Sequence, residues 1–229
     1  MKTTRIIRAL GAAVLSTALL LALAPASRAN NLIYYVTLNV ASLDSNLDAP
    51  FSLDLQLAPG SDNVTNTVTL SNFTAFGGSF TGVTYTAGGE SGSVGTSVVL
   101  TNSNPSNNEF AEAFSNTTTS IMFKVNETNN QETVTSGTPA PDQFNVFIDD
   151  NNTADGFVPT TDPSGNDTLA NDAMVASPLL SQVNHYSSQS PDSGVTTSIV
   201  PEPGSAAMLL VGACGLVARK RRSAAVKTT

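Results

Sequence analysis

The side chains able to do chemistry in this chain are few, and most of them are carboxylates. Its 229 residues include one histidine, His185, one cysteine, Cys214, and no tryptophan, against 18 acidic residues. A lone histidine is poor ground for catalytic triads, proton shuttles and many metal sites, which rely on imidazole. A lone cysteine excludes an intramolecular disulfide and any multi-cysteine metal site. The densest group of hard oxygen ligands is Asp149-Asp-Asn-Asn-Thr-Ala-Asp-Gly156, followed by Asp162, Asp167 and Asp172. Oxygen at that density is the chemistry of calcium. With Gly156 taken as the turn glycine of a calcium loop, the first ligand positions hold Asn151, Thr153 and Asp155, and the closing position holds Asp162. An aspartate there is shorter than the bidentate glutamate the loop requires, and no flanking helices are evident. The segment reads as a solvated turn, with no metal ligand and no cofactor assigned. No serine sits in a nucleophile elbow, and no motif pairs carboxylates for glycoside hydrolysis. The expectation is a protein without catalytic residues, not an enzyme.

Charge is distributed very unevenly. Of the ten basic residues, four lie in the first 28 positions and five in the last eleven. Between Asn30 and Val200 stand 17 acidic residues and one basic residue, Lys124, a net charge of −16. Phosphate backbones are bound by clustered Lys and Arg, so nucleic acid is excluded as a partner of this stretch.

The basic ends belong to two targeting patterns. Met1 to Arg8 is positively charged, Ala9 to Ala24 is apolar, and Ser27 and Ala29 supply small side chains ahead of a cleavage point. That is a secretory signal peptide, residues 1–29, which signal peptidase is expected to cut between Ala29 and Asn30. Near the other end, Pro201-Glu202-Pro203 leads into an apolar stretch from Ser205 to Ala218, then the run Arg219-Lys220-Arg221-Arg222. The prolines fix φ and remove backbone donors, so the segment stays extended and outside the helix that follows. As a helix, the apolar stretch measures about 21 Å. That is short against a hydrocarbon core of about 30 Å, a deficit that snorkelling arginines and local thinning can cover. The basic cluster is held on the cytoplasmic side, which places Pro-Glu-Pro at the outer face.

This ordered trio resembles the PEP-CTERM sorting signal of bacteria that make exopolysaccharide. The resemblance implies that an exosortase, a membrane-embedded cysteine transpeptidase-like enzyme, recognises and processes the tail. Pro201, Glu202 and Pro203 would be the recognition motif, and Arg219, Lys220, Arg221 and Arg222 the membrane stop. Residues 223–229 continue past the basic run as a short cytoplasmic tail.

The stretch between the two signals has the texture of an all-β domain. Alternation at period two recurs over residues 34–40, 51–57, 64–70, 97–101, 121–125 and 144–148, rich in Thr, Val, Phe and Leu and separated by Gly, Asn, Ser, Asp and Pro. In Phe51 to Leu57, the apolar residues share one side, and Ser52, Asp54 and Gln56 the other. That predicts an antiparallel sheet with one buried face. The fold class expected is an antiparallel β-sandwich over residues 30–184, with the jelly roll as one form of it. Short helices are expected over residues 107–114 and 169–176, and a polar spacer over residues 185–199. Tyr35-Val-Thr-Leu-Asn39, Leu53-Asp-Leu-Gln-Leu-Ala-Pro-Gly60 and Val68-Thr-Leu-Ser-Asn-Phe73 are also similar to strands of a recurrent group of PEP-CTERM surface proteins. The function expected is that of an exported cell-envelope or extracellular-matrix protein with a structural or interaction role linked to exopolysaccharide and biofilm. Its partners would be signal peptidase, exosortase, the membrane and extracellular polysaccharide. The alternatives are a carbohydrate-binding sandwich or, behind it, a secreted hydrolase.

Overall fold

The computed structural model describes residues 31–43, 49–61, 64–102, 107–128, 140–150, 156–175, 180–189 and 194–202. The expected signal peptide with its Ala29–Asn30 junction, Pro203, the apolar stretch and the cluster Arg219 to Arg222 lie outside these residues. Among the described residues, no helix is long and apolar enough to cross a membrane.

Among the described residues twelve strands form: β1 (Asn31–Asn39), β2 (Ser52–Ala58), β3 (Thr67–Phe76), β4 (Phe80–Ala87), β5 (Glu90–Gly92), β6 (Ser97–Thr101), β7 (Asn108–Phe114), β8 (Ser120–Thr128), β9 (Gln143–Asp149), β10 (Ala170–Ala173), β11 (Asn184–His185) and β12 (Thr196–Pro201). They pair antiparallel into two six-stranded sheets. Sheet A has the order β12-β1-β8-β3-β6-β5, and sheet B the order β11-β10-β9-β2-β7-β4. The two sheets share one apolar core, so the fold is a β-sandwich. Period two supplies that core. Ile121, Phe123 and Val125 of β8 and Tyr34, Val36 and Leu38 of β1 are buried from sheet A. From sheet B come Leu53, Leu55 and Leu57 of β2 and Phe144, Val146 and Ile148 of β9. Burying side chains of this size yields about 1.5–3 kcal/mol each.

Local chemistry explains the irregular points. The β3–β8 register slips between Ser71 and Thr74, and Asn72 there adopts φ +57°, a left-handed value that Asn tolerates better than most residues. Gly92 turns into the β5–β6 pairing at φ +99°, where a Cβ would lie 1.9 Å from the Ser97 carbonyl oxygen. Only glycine fits that contact.

The six strands expected from alternation all form. Three other expectations are corrected. Residues 107–114 make no helix: Asn108–Phe114 is β7, hydrogen-bonded between β2 and β4. Its Phe110 and Phe114 lie four apart, a helical spacing, but also an even spacing, which puts both on one face of a strand. Ala170–Ala173, expected to be helical, is β10 beside β9. Residues 185–199 do not form a spacer detached from the domain: His185 pairs with Ala170, and β12 pairs with β1 over six residues from Tyr34–Pro201 to Asn39–Thr196. Buried Val195 and half-buried Ile199 hold β12 on the core. The sheet therefore continues to Pro201, whose missing N–H is tolerated because β12 is an edge strand.

Candidate functional site

Pro201 and Glu202, two of the three residues of the expected sorting motif, stand where the sandwich ends. Pro201 is the last residue of β12, opposite Tyr34. Glu202 follows it, and its Oε1 lies 2.6 Å from the Lys124 Nζ of β8. Lys124, the one basic residue between Asn30 and Val200, points outward from sheet A, opposite Tyr35 of β1. With the side chains 22% and 34% exposed, the pair is worth about 0.2–1 kcal/mol. The six-residue ladder to β1 holds the strand; the ion pair only fixes where its end lies.

A second group lies inside the core. The inward phase of β8 runs Ile121, Phe123, Val125 and then Glu127, so a carboxyl takes an apolar position. Glu127 faces Asp172 of β10 from the opposite sheet and Tyr34 of β1. All three side chains are buried. Burial pushes the Glu127 carboxyl well above the usual carboxylate range, and hydrogen bonding to Asp172 and its charge add to the rise. Burial likewise raises Asp172, although its bonds to Glu127 and the Ala173 backbone oppose the shift. Charging two neighbouring carboxyls inside a low-dielectric core costs too much, so the arrangement favours the protonated form of at least one of them. The cluster links the two sheets.

The third group covers the outer face of sheet B. Ser52, Asp54 and Gln56, expected on a solvated side, are all buried; Asp54 is 1% exposed. Their strand β2 is central, flanked by β9 and β7. Phe147, opposite Asp54 on β9, carries a second ring stacked on it, Phe157, with centroids 4.4 Å apart. Desolvation raises the Asp54 carboxyl to about 8; the charges of Glu109 and Asp149 add to the rise, and the bond donated by Gln56 Nε2, 2.9 Å from Asp54 Oδ2, opposes it. Burial also raises Glu109 and Asp149. Glu109 pairs with Gln56 and Asp54 with Ala111, so the two carboxyls are diagonal neighbours on one face of the sheet.

The described carboxylates of the acidic run after β9 do not converge. Asp162 accepts bonds from Ser164 N (2.9 Å), Ser164 Oγ (2.7 Å) and Thr168 Oγ1 (2.6 Å). Although burial pushes it upward, these donors hold its carboxyl below the usual range. Asp167 accepts from Thr160 N at 3.0 Å, and Asp172 points into the core. Residues 151–155 lie outside the described residues, and among those described no three His, Cys, Asp or Glu side chains gather as metal ligands. His185 is exposed on β11, with none of these carboxylates as its cross-strand partner. Millimolar Ca²⁺ is expected to leave the thermal midpoint within about a degree of its metal-free value, since a ligand that stabilises must bind the native state. A rise of several degrees in differential scanning calorimetry would show that the loop holds calcium.

Reading the sequence missed Glu127, Asp172, Asp54, Glu109, Gln56 and Asn145 as interacting groups. Glu127 had a signal: it continues the inward phase of β8 by one more step. Asp172 had none, because its segment reads as a helix. Compared with protein-family models, with curated proteins and with solved structures, the chain finds no match in any of the three.

Proposed function

We propose that this protein is exported, handed to an exosortase through its Pro-Glu-Pro tail, and displayed at the cell envelope or released into the extracellular matrix. Its sandwich then serves a non-catalytic structural or interaction role linked to exopolysaccharide. The observation that carries the reading is the order of the last thirty residues: Pro201-Glu202-Pro203, a short apolar stretch, then Arg219-Lys220-Arg221-Arg222. The end of β12 at Pro201 supports it, because a tail that starts where a domain's last strand stops is reachable by a membrane enzyme without unfolding the core. The strand order supports the jelly-roll form of the sandwich: β1, β2, β3 and β4 alternate between the two sheets, and the orders β1-β8-β3-β6 and β2-β7-β4 interleave them. A lone histidine, exposed on β11, favours a non-catalytic role.

Localisation tests this. An antibody to the sandwich is expected to find the shortened protein outside the cell, or on its surface, in a host that carries an exosortase. In an otherwise identical host lacking it, the full-length chain should remain in the membrane. Equal size and location in both hosts would reduce the tail to a plain anchor.

A further inference from the structure

The outer face of sheet B carries a row of polar side chains at right angles to the strands. Asn184 of β11 stands opposite Asn171 of β10, Asn171 opposite Asn145 of β9, Asn145 opposite Gln56 of β2, and Gln56 opposite Glu109 of β7. Directly opposed residues of neighbouring strands point to the same side of the sheet. The five side chains therefore form one line, and with strands about 4.8 Å apart it spans about 19 Å. Asn145 and Gln56 are only 8% and 9% exposed. The internal bonds of the row use part of its capacity: Asn171 Nδ2 donates to Asn145 Oδ1, and Gln56 Nε2 to Asp54 Oδ2. The second amide atom of Asn171, Asn145 and Gln56 has no partner among the described residues, and none of these atoms is sealed from solvent. In the adjacent line, Tyr85 of β4 stands opposite Ala111, its side chain 53% exposed.

We propose that this face binds a neutral, extended polysaccharide, which lies along the row and stacks one sugar ring on Tyr85. Each sugar hydroxyl is both donor and acceptor, which is what side-chain amides complement. A row that repeats every strand spacing suits a ligand that repeats along its length. The apolar face of a pyranose fits an exposed phenol ring. A polyanion is disfavoured by Glu109 and Asp149 on the same face, where no basic side chain stands among the described residues. The inference rests on the extracellular placement proposed above for the source of its ligand, though not on processing of the tail.

Affinity electrophoresis of the full chain in a polyoxyethylene detergent tests it, with hydroxyethyl cellulose, dextran or alginate cast into the gel. The parent is expected to be retarded by at least one of the two neutral polymers and to run freely through alginate. Tyr85→Ala and the pair Asn171→Ala with Asn184→Ala truncate accessible side chains outside the core. Tyr85→Ala is expected to keep the parent's thermal midpoint and the amide pair, which gives up the Asn171–Asn145 bond, to lower it by a few degrees at most; each is expected to weaken retardation at least tenfold in apparent Kd. Free migration of the parent through both neutral gels overturns the proposal. So does retardation unchanged in both variants, or stronger retardation by alginate than by the neutral polymers. Because binding is read on purified protein, any of these failures leaves the sorting proposal standing, and failure of sorting leaves this one standing.

Discussion

Raising the pH from 5 to 9 is expected to lower the thermal midpoint of this protein steadily. The cause is the set of carboxyls the fold keeps protonated: Glu127 with Asp172 in the core, and Asp54 with Glu109 on the face of sheet B. In the unfolded chain these groups titrate near 4. In the folded protein all four are raised, Asp54 to about 8. A group whose folded pKa lies above its unfolded value contributes stability that is fully present below the unfolded pKa and is lost as pH rises through the folded one. Each proton held by the native state and released on unfolding costs about 1.4 kcal/mol per pH unit. Each neighbouring pair titrates as a unit, holding one proton longer than the other. Two retained protons would then tilt stability by up to roughly 2.7 kcal/mol per unit over the steepest part of the range. For a domain of this size, 1 kcal/mol is about 2–4 °C, so the midpoint should drop by several degrees per pH unit. Asp162 acts in the opposite sense, its lowered carboxyl losing its contribution only as pH falls below the usual carboxylate range, so the optimum lies near the unfolded carboxylate pKa, about pH 4. Glu127→Gln supplies a neutral amide to bond Asp172 and should flatten the alkaline fall by about one proton's worth, leaving the variant more stable than the parent at pH 9. A parent midpoint that is flat or rises from pH 5 to 9 would contradict the shared-proton assignment.

Replacing Glu202 with alanine is expected to abolish processing while leaving export intact. Neither the proposed signal peptide nor the apolar stretch is touched, so the chain should still cross the membrane. Glu202 is the one charge in the proline-flanked segment, and without it the uncut precursor should accumulate in the membrane, larger than the mature form by the mass of the tail. The ion pair to Lys124 provides an internal control. Lys124→Met breaks the same 2.6 Å contact at a cost of about 0.2–1 kcal/mol and leaves the motif whole, so that variant should be processed like the parent. If both variants are blocked alike, the clasp matters rather than recognition of the motif. If Glu202→Ala is processed normally in an exosortase-bearing host, the sorting assignment fails. Neutralising Arg219, Lys220, Arg221 and Arg222 together should fail differently, by weakening the cytoplasmic stop and letting the tail slip outward.

The sequence by itself determined the all-β class and the positions of six strands, because one-sided burial imprints period two on residues such as Ile121, Phe123 and Val125. It also carries the two terminal patterns, whose meaning lies in local composition and needs no folded partner. Tertiary structure decided the rest. β7 and β10 read as helices because Phe110 and Phe114, or the Ala-rich run around Asp172, satisfy a helical spacing locally; pairing with β2 and β9 overrode that preference. β12 looked like spacer because an edge strand rich in Ser and Thr buries only Val195 and Ile199. The alternation of β2 marks Ser52, Asp54 and Gln56 as facing away from the core, but Asp54 stands opposite Phe147, with Phe157 stacked on that ring, more than ninety positions downstream. Glu127 and Asp172 come from opposite sheets, and the row from Asn184 to Glu109 sets the consecutive β9, β10 and β11 beside β2 and β7, which lie far from them in sequence. Such assemblies depend on register between distant strands, which is set only when both faces of the sandwich close on one core.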